Sequence, residues 1–239
     1  MSFCVILYSL FGIFDQVIKY QQSAKGYAVL QDLYFDDSES KEPTVKQKQW
    51  DEKFKELKGM NEDYVGWITI EDSKINYPIV KGRDNSYYLT HNFYKEHDFV
   101  GAIFMDYRNS GTELDQQTVI YGHYMKDNSM FGQLKKYLDS EFYKKHKIIQ
   151  TDFQGSTYEW EVFSIYVSDD SDPLQVENSD SYLDYITNLK EKSLYAIQTS
   201  VGEEDRILTL STCTNEVETD RMIVHAKLIN KEVYPNNEE

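Results

Sequence analysis

The chain has 239 residues, 40% of them hydrophobic and 15% aromatic, with 20 Tyr and 12 Phe against 11 Gly and 4 Pro. That is apolar material enough for the core of one ordinary or slightly large domain with extra segments at its ends, and it excludes collagen-like and low-complexity architectures. The formal net charge of −16 repels a phosphate backbone, so no nucleic-acid partner is expected, and the acidic residues are spread along the chain as a solvated face.

Ser2 to Phe14 reads SFCVILYSLFGIF, a run without a charge. A membrane-spanning helix needs about 20 apolar residues. A signal peptide needs a basic start and a small-residue cleavage site, and the run has neither. We read residues 1–14 as a partial transmembrane anchor whose first residues are missing, and residues 15–59 as a helical arm. The first helix of the arm continues to about Tyr34, and YFDDSESKEP is a polar linker. The second helix starts at Pro43, carries Val45, Trp50, Phe54 and Leu57 near helical spacing, and ends at Gly59.

After Gly59 the pattern changes. YVGWITI and INYPIV are short β-type runs around a turn, and NSYYLTHNFY is aromatic and irregular. GAIFMDYR and QTVIYGHY have strand character, and FGQLKKYLDSEFYKKH has the pattern of a helix. KIIQTDF and TYEWEVFSIYVSD form strands around Gln-Gly-Ser, and SDSYLDYITNLKEKS is a helix with Leu183, Ile186 and Leu189 on one face. RILTLSTC and DRMIVHAKLIN close the chain as strands. About eight strands that do not alternate with helices point to a mainly β fold, an antiparallel barrel or sandwich rather than a parallel α/β sheet.

Only two cysteines occur, Cys4 and Cys213. With Cys4 in a membrane the two cannot meet, so no disulfide is expected, and a lone thiol on an exported protein is a candidate nucleophile. Alternation sets Ile207, Thr209, Ser211 and Cys213 on one face of their strand and Leu208, Leu210 and Thr212 on the other. The leucines belong in the core, which leaves Cys213 on the wetter face. A nucleophilic cysteine needs a base or a nearby cation. Among His91, His97, His123, His146 and His225, His123 ends a strand just after Gly122, which suits a base exposed at a rim; His225 is in phase with Arg221 and faces either cleft or solvent. Arg221 opens the strand after Cys213, where a hairpin brings it within reach as a thiolate or oxyanion partner, although Glu216, Glu218 and Asp220 offer it surface salt bridges instead. There is no C-x-x-C, H-E-x-x-H or phosphate-loop motif, no metal-ligand spacing, and no papain or caspase signature.

These residues resemble the sortases, which carry T-L-x-T-C on one strand, an Arg at the start of the next and a His at the end of an earlier one. Here the residues are Thr209-Leu210-Ser211-Thr212-Cys213, then Arg221, with His123 in YGH. The resemblance covers roughly Met60 to Ile229 and implies an eight-stranded sortase-type β-barrel over residues 60–239. The helical arm and SDSYLDYITNLKEKS, as the helix between the sixth and seventh strands, resemble class B. So does Asp84-Asn85-Ser86-Tyr87-Tyr88-Leu89, similar to the D-N-x-x-Y-L stretch that lines the substrate groove. By the same resemblance Asn85, Leu89, Ser181, Tyr185, Ile186 and Ser211 are substrate-binding candidates. Where several class B members have an acid directly after the Cys, this chain has Thr214.

The resemblance implies a cofactor-free transpeptidase at a Gram-positive cell surface, held by its N-terminal anchor with the catalytic domain outside. Cys213 would cleave a C-terminal sorting signal of a secreted protein after Thr, Arg221 would hold the oxyanion, and His123 would move the proton. The thioester would pass to an amine of peptidoglycan. Two alternatives stay open: a pilus-type sortase that uses a subunit lysine, and a non-catalytic surface-binding barrel in which Cys213 is inert.

Overall fold

The structure, a computed structural model, describes residues 2–35, 43–153, 155–168, 174, 181–213 and 220–233, with the side chains of 2–13, 15, 16, 43–48 and 213 outside that description. The polar linker, the acidic loop holding Thr214, Glu216 and Glu218, and both cysteine side chains therefore lie outside the described residues.

Eight strands form the centre: β1 (Tyr64–Thr69), β2 (Asn76–Val80), β3 (Ile103–Met105), β4 (Gln117–His123), β5 (Ile148–Phe153), β6 (Ser156–Ser168), β7 (Ile207–Cys213) and β8 (Arg221–Val233). They close into a barrel in the order β1-β2-β3-β4-β7-β8-β6-β5. The mainly β expectation holds, and of barrel and sandwich it is the barrel that forms. Two pairs, β2 with β3 and β4 with β7, are parallel, and the other pairs are antiparallel. Parallel neighbours require a long crossover. For β4 and β7 that crossover contains β5, β6, a 3-10 segment and two α-helices, so residues far apart in sequence end on adjacent strands.

Closure explains the continuous apolar runs. One face of each strand fills the barrel, and much of the other is covered from outside, so successive residues such as Trp67 and Ile68, or Ile207 and Leu208, are all buried.

α1 (Ser2–Tyr34) and α2 (Pro43–Met60) form the arm. α1 is one unbroken helix with no change at residue 14, and among the described residues no helix is long and apolar enough to cross a membrane. Tyr27, Leu30 and Tyr34 recur at helical spacing and are buried against the barrel. Tyr34 stacks on Trp67 with ring centroids 4.1 Å apart and donates its hydroxyl to Asp152. Gln31 donates to the carbonyl of Asn76 at 2.7 Å. In α2, Leu57 is buried and Phe54 bridges the rings of Trp50 and Tyr64.

Two helix expectations change. The single helix expected over FGQLKKYLDSEFYKKH is a 3-10 segment (Gly132–Leu138) followed by the short α3 (Ser140–Lys145). Asp139 divides them: its backbone is extended and its carboxylate caps the amide of Glu141 at 2.9 Å. In α4 (Tyr182–Lys192), Ile186 and Leu189 are buried as expected, but Leu183 is 42% exposed.

Candidate active site

The backbone register brings the three leading candidates together. In the parallel β4–β7 pair His123 is the partner of Cys213. The antiparallel β7–β8 pair runs to Ser211 opposite Ile223, and continuing it two residues sets Cys213 opposite Arg221. Thr212 extends that pairing through its side chain, whose hydroxyl oxygen accepts the amide of Met222 at 2.9 Å. Because β7 lies between β4 and β8, the strand ends present His, Cys and Arg in one row, with neighbouring backbones about 4.8 Å apart.

His123 is half-buried and tightly held. Its Nε2 lies 2.6 Å from the carbonyl oxygen of Leu89. A carbonyl only accepts, so Nε2 carries a proton and Nδ1 is the nitrogen left for proton exchange. Nδ1 is buried and has no hydrogen-bond partner among the described residues. Gly122 precedes His123 because nothing larger fits: a Cβ there would lie 2.4 Å from Ile103 and 2.8 Å from Phe131. The ring is thus set by packing as well as by exposure at a strand end.

Arg221 is half-buried, not a surface residue, and burial draws its guanidinium below its usual value, with nearby Tyr121 partly offsetting this. Tyr121 stands two residues before His123, on the same face of β4, and donates to Asp106 at 2.9 Å. Asp106 is fully buried and also receives Asn85 at 2.9 Å and Arg108 through both Nε at 2.9 Å and a terminal nitrogen at 2.8 Å. Burial works to raise the Asp106 carboxyl, but the Arg108, Asn85 and Tyr121 hydrogen bonds outweigh it and hold the group below the usual carboxylate range. Burial, and then Asp106, push the Tyr121 phenol up, so it stays neutral and donates. Asp106, Arg108 and Tyr121 escape a motif-based reading. Their signals were the alternation that places Tyr121 beside His123 and the acid–base pair in MDYR.

The Sortase domain family model matches residues 68–229. The chain belongs to the sortase family. Sortase B of Listeria monocytogenes is 41% identical over 185 residues, 75% of each chain, and sortase B of Staphylococcus aureus is 40% identical over 181 residues, 74% of each chain. Among solved structures, a Staphylococcus aureus sortase B–substrate complex superposes with a TM-score of 0.78 at 34% identity, covering 89% of this chain and 98% of that one. Sortase B of B. anthracis gives 0.76 at 39% identity, covering 89% and 99%. The protein is therefore a class B sortase, a cysteine transpeptidase.

The groove candidates of this sortase fall into two groups. Asn85, Leu89 and Ser211 gather around His123 and Tyr121. Asn85 is fixed at both ends of its amide, by Asp106 and by the amide of Tyr107 at 3.0 Å. Ser211 is fully buried in register with Tyr121. Ser181, Tyr185 and Ile186 belong to the start of α4. Ser181 is exposed at its N-cap, Ile186 is in the core, and the Tyr185 hydroxyl lies 2.9 Å from Gln117 Nε2.

The wetter face expected for β7 is instead buried. Thr209 and Ser211 are fully enclosed, and so is His225 on β8. Their polarity is satisfied internally. Gln117 Nε2 reaches the Leu174 carbonyl at 2.6 Å and Thr209 Oγ1 at 3.1 Å; Thr209 Oγ1 meets His225 Nδ1 at 2.9 Å, and His225 Nε2 meets the Tyr166 hydroxyl at 3.2 Å. An amide nitrogen only donates. Thr209 Oγ1 therefore accepts on its Gln117 side, and its hydroxyl and the His225 ring complete the buried chain to Tyr166. The other histidines have structural surroundings: His146 stacks on Phe142 at 3.8 Å, and His91 stacks on Tyr87 at 4.0 Å with His97 against it. Among the described residues no group of three or more acidic, His or Cys side chains is placed to hold a metal.

Proposed function

We propose that this sortase cleaves a C-terminal sorting signal after Thr in secreted proteins and joins them to an amine of peptidoglycan. The supporting observation is the row of His123, Cys213 and Arg221 across three adjacent strand ends. In the proposed reaction the Cys213 thiolate attacks the Thr carbonyl carbon. The carbonyl electrons move to oxygen, where Arg221 donates to the oxyanion. As the oxyanion collapses the C–N bond breaks, and protonated His123 gives its Nδ1 proton to the departing amine. The resulting thioester is attacked by the incoming amine, neutral His123 takes the surplus proton, and the thiolate leaves. Leu89 accepts from Nε2 throughout, so one nitrogen serves both halves of the cycle.

A substrate bound to a Staphylococcus aureus relative supports a peptide groove here, with Asn85, Leu89, Ser181, Tyr185, Ile186 and Ser211 in its walls or supporting them. In this proposal residues 1–14 belong to a transmembrane anchor, residues 15–59 are the arm, and 60–239 are the catalytic unit at the outer surface of a Gram-positive cell.

The test is incubation with a library of fluorogenic sorting-signal peptides, N-P-x-T-N and P-x-T-G forms included, with Cys213→Ala as control and mass spectrometry for the acyl-enzyme. Cleavage after Thr with an adduct on Cys213 is expected. Absence of any adduct, together with a Cys213 that resists alkylation, removes the reading. Adding a peptidoglycan-type amine or a lysine peptide to the acyl-enzyme distinguishes wall attachment from pilus-type joining.

A further inference from the structure

The arm reaches the site. Tyr27 of α1 is 6% exposed and donates its hydroxyl to the carbonyl of Gly101 at 2.7 Å. Gly101 has a left-handed backbone, φ +63°, and a Cβ there would lie 2.6 Å from the carbonyl oxygen of Tyr88, 2.9 Å from that of Leu89 and 2.9 Å from Cδ2 of His123. Gly101 therefore forms the floor on which the imidazole and its Leu89 acceptor both rest. The Tyr27 ring also packs edge-on against Tyr77 at 5.5 Å, and the Tyr77 hydroxyl accepts the amide of Met130 at 3.0 Å. Met130 is itself left-handed, φ +49°, and the next residue, Phe131, donates its amide to the backbone carbonyl of His123 at 3.0 Å. One side chain of the arm thus contacts one segment that encloses His123 and reaches the other through Tyr77.

We propose that Tyr27 is a positioning residue for His123, acting through Gly101 and the Leu89 carbonyl, so that docking of the N-terminal arm sets the geometry of proton transfer. The inference rests on His123 as the proton carrier of the reaction proposed above. Its physical basis is the left-handed turn. Without the Tyr27 hydroxyl the Gly101 carbonyl loses its buried donor, and the segment from Leu89 to Gly101 gains freedom to carry the Leu89 oxygen away from Nε2. A general base displaced by a fraction of an ångström loses rate without losing substrate affinity.

The test is Tyr27→Phe, which keeps the ring against Tyr77 and removes one oxygen. The control is Tyr34→Phe, which removes another buried hydroxyl bonded from the same helix to the barrel, at Asp152 on β5. Two quantities are read: kcat and KM with the cleaved sorting-signal peptide, and the NMR resonance of the proton on His123 Nε2, assigned by its loss in His123→Ala. Tyr27→Phe is expected to lower kcat about three- to ten-fold, the range of one hydrogen bond, with KM unchanged and the Nε2 proton shifted upfield or lost to exchange. Tyr34→Phe is expected to reduce stability while leaving kcat and the resonance in place. An unchanged Nε2 proton in Tyr27→Phe, or equal effects of the two variants, overturns the proposal. The resonance needs no substrate, so a shift confined to Tyr27→Phe supports the brace even if no sorting peptide is cleaved.

Discussion

Asp106 accepts the phenol hydroxyl of Tyr121 at 2.9 Å, and so places a fully buried carboxylate one side chain away from Arg221, through a residue of the strand that ends in His123. This is not the acid directly after the cysteine that several class B members carry. It touches neither the imidazole nor, through any described contact, the guanidinium of Arg221. Its effect is to fix Tyr121 and Asn85 to each other and to Arg108.

Asp106→Asn removes the charge that several donors share. The expected loss of stability is about 1.5–3 kcal/mol, the range for hydrogen bonds to a charged group. The pH dependence follows from the depressed carboxyl. Its folded value lies below the ordinary value of about 3.9, so the stabilisation is fully present above that pH and is lost as pH falls through the folded value. Urea unfolding from pH 6 down to pH 3 is expected to show a shallower acid decline in Asp106→Asn than in the parent. Parallel curves would remove Asp106 from the acid response.

Thr209→Val tests the buried chain behind the cysteine strand. The substitution keeps the shape and removes both the acceptor for Gln117 Nε2 and the hydrogen-bond partner of His225 Nδ1. The expected cost is about 1–3 kcal/mol in urea unfolding. Equal stability of Thr209→Val and the parent would show that the chain contributes nothing to the fold.

Much of this was legible in the sequence because periodicity and strand ends are local. Alternation located β4, β7 and β8, and the positions of His123, Cys213 and Arg221 at their ends were visible before any fold. Closure of the barrel was not local. It buried the face carrying Thr209 and Ser211, which alternation alone assigns to a wetter cleft, and also His225, which alternation leaves to cleft or solvent, because covering segments supply hydrogen bonds that spacing does not reveal. The helix expected over residues 131–146 failed for a smaller reason. Its apolar spacing is sound, but Asp139 offers the backbone a cap and ends one segment to start another. The contact from Tyr27 to Gly101 joins residues 74 apart in sequence and has no motif at all.

Gly101→Ala probes the floor beneath His123. A left-handed backbone costs an L-residue about 1–2 kcal/mol, and the added methyl meets the Tyr88 and Leu89 carbonyl oxygens and the His123 ring. Reduced thermal stability and reduced turnover are expected together. Loss of stability with full turnover would show that the ring tolerates displacement.

Arg221 has two possible tasks, and they separate experimentally. As oxyanion donor it acts only once the carbonyl has been attacked, so Arg221→Ala should lower kcat about 10²–10³-fold while Cys213 alkylates as fast as in the parent. As thiolate stabiliser it acts on the free enzyme, and alkylation near neutral pH should slow in step with kcat. In the proposed reaction Arg221, on β8 to one side of Cys213, takes the first task, and His123, on β4 to the other side, takes the second. His123→Ala is therefore expected to slow both alkylation and turnover, the latter about 10²–10⁴-fold. Arg221→Lys is the sharper variant. It keeps a cation but not the planar fork of donors, so it should recover only part of the turnover lost in Arg221→Ala. Full recovery by lysine would mean that charge alone, and not the direction of the hydrogen bonds, is what the oxyanion requires.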